Sequence, residues 1–171
     1  MDYRFVAPDP RELDLATTEA LACCIWSDVR PVRGTAGLLD FRLAGRLSAL
    51  LRASFLSGAR GEVLMVPGRP KLPFEKVMVF GLGPRPGFSD LVCTDAVKQM
   101  SRALEGLRVV RAVVELPGRA DGAVTAERAA ELLAPVVAEG AHDAWWLVEA
   151  PDEQRRMAEK LRHDRRASRS A

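Results

Sequence analysis

This sequence has little of what marks secreted, membrane-spanning or metal-binding chains. It holds three cysteines, an odd number, with Cys23 and Cys24 adjacent and Cys93 far away. No Cys-x-x-Cys pair occurs, which excludes a zinc or redox framework of that kind. Of its two histidines, His142 precedes Asp143 and His163 precedes Asp164. Neighbours in sequence rarely converge, and a metal site needs roughly three or four ligands, so neither a metal nor a cofactor is expected. No apolar run approaches the ~20 residues needed to cross a bilayer. The start, 1-MDYRFVAPDPRELD-14, lacks the apolar centre of a signal peptide. These absences predict a reduced, cytoplasmic chain with no membrane partner. Charge of one sign is also missing, the net charge being +2. What excess exists is at the end, where residues 152–171 carry seven basic and four acidic side chains.

What is present is core-forming material. The 171 residues are 48% hydrophobic, enough for one domain with a sizeable interior. A first strand over 3–6 is expected to be closed by Pro8 and Pro10. The apolar run 20-ALACCIWS-27 reads as a buried strand. After the loop 34-GTAG-37, Leu39, Leu43, Leu47, Leu50 and Leu51 form one stripe and predict a single helix over 38–55. Further strands are predicted at 62–67, 75–82, 108–116 and 144–149. Helices are predicted at 90–105, with Ser89 as N-cap, and at 125–138, with Gly140 just beyond. Val-rich strands apolar on both faces belong inside a covered sheet. The expected fold is therefore a three-layer α/β/α domain over 1–150, with a mixed, mostly parallel sheet. A basic helix over 151–171 follows, opened by Pro151 with Asp152 and Glu153 in its first turn.

The stretch 77-VMVFGLGPRPGF-88 resembles the strand-to-glycine turn that begins a phosphate loop. Its glycines, Gly81, Gly83 and Gly87, give GxGxxxG and miss the dinucleotide spacing GxGxxG. A phosphate loop works by aiming N–H groups at the anion, and Pro84 and Pro86 each remove one. Gly81, Gly83, Arg85 and Gly87 remain the anion-binding candidates, against the expectation that the segment only turns.

Cys23 and Cys24 on a strand point to opposite faces and are expected to pack as small hydrophobes. Cys93, early in a helix, would be reactive if exposed. Trp145 and Trp146 also face opposite ways, and an exposed one would be a candidate interface anchor. The final helix has only Met157, Ala158 and Leu161 as apolar positions, a solvated or partner-docking pattern. Its Arg155, Arg156, Lys160, Arg162, Arg165 and Arg166 are the candidates for nucleic-acid contact, without interleaved aromatics.

The order of these pieces carries a resemblance. A leucine-rich helix, a Gly-Glu-led strand, a Pro/Gly turn and a strand ending in Gly-Leu-Gly are here 38-LLDFRLAGRLSALLRASFLSGARGEVLMVP-67 and 77-VMVFGLG-83. Over residues 15–150 the chain resembles the N-terminal domain of the leucyl aminopeptidases. The resemblance implies a macro-domain-like fold. In that family catalysis belongs to a C-terminal domain with an Asn-Thr-Asp-Ala-Glu-Gly-Arg motif, and no such string occurs here. The resemblance thus implies no catalytic residue and no enzyme activity. It implies an accessory module, since the family's N-terminal domain helps assemble a hexamer and in some members takes part in DNA binding. The first expectation is a regulatory or self-associating module whose partner is a protein or a second copy. A macro-like site for ADP-ribose or another nucleotide is the alternative, and DNA binding through the basic helix is the third.

Overall fold

A computed structural model of the chain describes residues 2–16, 18–138 and 140–169, with 165–169 as backbone only. Its strands are β1 (Asp2–Val6), β2 (Ala20–Ile25), β3 (Val63–Pro67), β4 (Lys76–Gly81), β5 (Arg111–Val114) and β6 (Ala144–Val148). Its helices are α1 (Pro10–Leu15), α2 (Gly34–Arg42), α3 (Arg46–Arg52), α4 (Asp90–Gly106), α5 (Ala126–Ala138) and α6 (Pro151–Arg169). They form a six-stranded sheet in the order β1-β6-β5-β2-β4-β3. Every pairing is parallel except β3 on β4.

Alternation along β2 divides the core. Ala20, Ala22 and Cys24 join the interior beneath α4, α5 and α6, while Leu21, Cys23 and Ile25 join the one beneath α1, α2 and α3. Both faces of β2 are buried along its whole length. That is the pattern of a strand covered by helices on both sides, and the fold is a three-layer α/β/α sandwich.

Three expectations about local structure change. Pro10 does not end structure but starts α1: Asp9 is the N-cap, its Oδ1 accepting the Arg11 N–H at 2.8 Å, and Pro10 occupies the first helical turn, where no N–H is needed. The helix predicted over 38–55 begins earlier, at Gly34, and breaks at Ala44 and Gly45, which have φ of 57° and 77°. Asp40 restarts it, its Oδ1 accepting the Leu47 and Ser48 N–H groups at 2.7 and 3.1 Å. Leu39, Leu43 and Leu47 stay buried across the break, so the stripe survived while the helix did not. The last helix is not all solvated: Met157 and Leu161 are core residues, and α6 packs along α5. Burying two such side chains contributes about 1.5–3 kcal/mol each.

Candidate functional site

The sheet order makes β2 a switch point. The chain leaving β2 returns on one side as β4 and on the other as β5, and such folds form a crevice beyond the carboxyl ends of those strands. Two cavities lie there. One of about 390 Å³ is lined by residues including Trp26, Asp28, Arg33, Arg85 and Asp121. The other, about 320 Å³, is lined by Pro8, Leu38, Arg119, Val148 and Glu149 among others. Glu115 lines both.

Glu115 directly follows β5 and is 4% exposed. Its Oε1 accepts the Thr35 N–H at 2.8 Å, and its Oε2 accepts the Cys24 N–H at 3.3 Å. Thr35 lies in the first turn of α2, and Arg33, the N-cap residue, makes no side-chain cap. Glu115 therefore supplies from a distant strand the acceptor that the helix start lacks, at the place where a helix would otherwise receive an anion. Gly34 permits the approach. It has φ of +65°, and a Cβ there would stand 2.5 Å from Ala120 Cβ and 2.9 Å from Glu115 Oε1. Burial pushes the Glu115 carboxyl above its ordinary range, with the Thr35 and Cys24 N–H groups pulling the other way. Burial, followed by the charge of Glu115, raises the thiols of Cys23 and Cys24 well above theirs.

Glu149, one strand over, is held differently. Arg119 grips it with two hydrogen bonds of 2.6 and 2.8 Å, and the two side chains are 8% and 5% exposed. The same guanidinium donates to the Val124 carbonyl at 2.5 Å, tying the loop after β5 to the start of α5.

The glycine turn is saturated. The N–H groups of Gly81, Leu82, Gly83, Gly87 and Phe88 donate to the carbonyls of Glu62, Ile25, Gly58, Pro84 and Arg85. The Arg85 N–H donates to Asp28 Oδ1 at 2.9 Å, and its guanidinium is paired with Asp121. With Pro84 and Pro86 contributing no donor, the turn keeps no N–H for an anion. Gly81 and Gly83 instead allow close packing: a Cβ on Gly81 would sit 2.1 Å from the Ala59 carbonyl oxygen.

The remaining candidates scatter. Trp145 is fully buried, and Trp146 is half-buried beneath the Arg4 guanidinium, 5.3 Å from its ring centre. Cys93 is buried and pushed up to about 12, chiefly by desolvation, so it is not a reactive thiol. His142 is buried between Ser101, 3.0 Å from its Nε2, and the Trp145 ring. On α6, Arg155, Arg156 and Arg162 are exposed, while Lys160 is paired to Glu131 and Asp164. The side chains of Arg165 and Arg166 lie outside the described residues. Among the described residues no group of three or more His, Cys, Asp or Glu is placed to hold a metal ion, and no helix is long and apolar enough to cross a membrane. Sequence reasoning missed Glu115 and Glu149. The available signal was an acid placed directly at the end of an apolar strand, in 111-RAVVELPG-118 and 144-AWWLVEAP-151.

The sheet order and the helical layers define a macrodomain-like fold. The macrodomain of Oceanobacillus iheyensis with ADP superposes at a TM-score of 0.67 and 12% identity, covering 86% of this chain and 84% of that one. Tomato leucine aminopeptidase superposes at 0.63 and 15% identity, covering 92% of this chain and 35% of that one. Residues 28–144 match the N-terminal domain of the cytosol aminopeptidase family, and the chain belongs to that family. A probable cytosol aminopeptidase of Synechocystis sp. is 31% identical over 101 residues, which are 59% of this chain and 20% of that relative's length.

Proposed function

We propose that this chain is a non-catalytic interaction module that holds a partner protein or a second copy of itself. The observation that carries this reading is the contrast between a helix start already filled by a side chain and bare apolar side chains elsewhere. Glu115 fills the start of α2, while Phe41 and Phe55, on α2 and just past α3, are 87% and 67% exposed. Exposed aromatic rings are the material of interface hot spots. The family match to an N-terminal domain agrees with it.

The test is affinity capture combined with light scattering, comparing the wild type with a Phe41→Asp/Phe55→Asp variant. A specific partner or oligomer that the double variant loses, at unchanged melting temperature, supports the module. A wild type that is monomeric at all concentrations and retains nothing that the variant loses overturns it.

A second reading is favoured by the cavity of about 390 Å³ at the switch point and by the related macrodomain with ADP: the crevice takes a nucleotide. The Glu115 carboxyl opposes it, because its oxygens already take the Thr35 and Cys24 N–H groups that a phosphate at the α2 start would need. Calorimetry with ADP that shows heat and a raised melting temperature would establish this second reading; no heat at millimolar ADP would remove it.

A further inference from the structure

The sheet has two free edges, and they differ. On β1 the exposed side chains are Asp2 and Arg4, charged groups of the kind that discourage another strand from pairing. On β3 they are Val63, Met65 and Pro67, the first two 39% and 50% exposed, with no charge between Glu62 and Arg69.

The hydrogen bonds of β3 fix which groups face outward. The Gly81 N–H donates to the Glu62 carbonyl at 2.9 Å, and the Gly68 N–H donates to the Glu75 carbonyl at 3.1 Å. In an antiparallel ladder bonded and non-bonded pairs alternate. Glu62, Leu64, Val66 and Gly68 therefore bond inward to β4 and its flanks, and Val63, Met65 and Pro67 turn their main chain away from the sheet. Proline has no N–H, so the outward donors of the strand belong to Val63 and Met65.

We propose that a second copy of this chain pairs with the β3 edge, antiparallel, about a two-fold axis through Leu64. This deepens the self-association half of the interaction reading and rests on it. In this register Val63 of one copy faces Met65 of the other, twice by symmetry, and the N–H and C=O of each of these residues are bonded. The exposed Val63 and Met65 side chains stack across the junction. No like charges oppose each other, since Glu62 faces Val66 and Arg60 faces Gly68. Shifting the axis to Met65 would set Pro67 against Val63 and leave the Val63 carbonyl without a donor. The contact is short, and interfaces below about 1,200 Å² are transient, so a concentration-dependent dimer is expected rather than a permanent one.

Leu64 meets its own symmetry mate as a non-bonded pair, with Cα atoms about 4.5 Å apart, inside the range of about 4.4–6.8 Å that a disulfide spans. The experiment is oxidation of Leu64→Cys with oxidised glutathione, which takes up the two electrons and two protons released by the thiols. The native cysteines are all buried and free. A covalent dimer is expected for Leu64→Cys, with at least about tenfold less when Met65→Lys is added, because lysine on an edge blocks pairing. Met65→Cys, which faces Val63, should not link. A Leu64→Cys chain that folds and stays monomeric, or linking at Met65→Cys instead, overturns the proposal. Sedimentation of the wild type against Met65→Lys repeats the test without cysteine, should Leu64→Cys fail to fold. A wild-type dimer that Met65→Lys leaves intact sinks the β3 edge while the interaction reading stands. A monomeric wild type that still captures a partner through Phe41 and Phe55 does the same.

Discussion

Glu115 and Glu149 follow the carboxyl ends of neighbouring strands and are 4% and 5% exposed, yet they are held in opposite ways. Glu149 meets a guanidinium of matching geometry, and its charge is neutralised on the spot. Glu115 has no ion pair among the described residues and is met by two main-chain N–H groups, one at a helix start. A partial charge spread over a helix end compensates a carboxylate less than a bidentate arginine does. The difference explains why burial succeeds in pushing the Glu115 carboxyl upward. It also separates two roles. The Arg119 pair braces the loop after β5, whereas Glu115 occupies ground that a ligand would need.

The largest effect should come from breaking the neutralised pair. Arg119→Ala leaves Glu149 charged and buried without its partner, at a cost of about 3–5 kcal/mol in urea unfolding. Replacing both, as Arg119→Met with Glu149→Leu, should recover most of that loss. A double variant no better than the single would show that the pair is more than a matched charge.

Glu115→Ala should cost less, about 1–3 kcal/mol, since it orphans two buried N–H groups but strands no charge. A loss equal to that of Arg119→Ala would mean that the two acids are held alike. Gly34→Ala should come next, at roughly 1–2 kcal/mol from the strained φ, with a larger loss if Ala120 and Glu115 cannot give way. Amide exchange at Thr35 reads the same event: its protection should fall as the added Cβ displaces the carboxylate.

The smallest effect is on pH dependence. A carboxyl whose folded-state pKa is raised contributes stability that is complete below its unfolded value and is lost as pH rises through the folded value. The ordinary value is 4.5, so the wild type should lose stability relative to Glu115→Gln as pH climbs from about there towards neutrality. Urea midpoints of the two proteins measured across that window test the sign. A gap that is constant with pH would mean that Glu115 titrates alike in both states.

Much of the fold was legible in periodicity. Ser89 caps α4 as its position implied, its Oγ accepting the Val92 N–H at 3.4 Å, and the doubly apolar strands are covered on both faces. That Pro84 and Pro86 leave the glycine turn short of donors was visible too, because proline's missing N–H is a local property. The break between α2 and α3 was not: the leucine spacing is the same on a continuous and on a broken helix, and only Asp40 reaching Leu47 distinguishes them. Nor was α1, whose Asp9-Pro10 start also reads as the end of a strand. Glu115 could be noticed as an acid ending an apolar strand, but not its partners, which are 80 and 91 residues away in the chain.

The sequence by itself determined most of the strands and the longer helices and which faces are apolar, since side-chain period and N–H inventory are properties of neighbouring residues. Only the tertiary structure decided that β3 runs antiparallel at a bare edge, that Trp145 is core, and that a carboxylate from β5 fills the start of α2. Those outcomes depend on which distant groups the sheet order brings within a few ångströms of each other, and no local pattern encodes that distance.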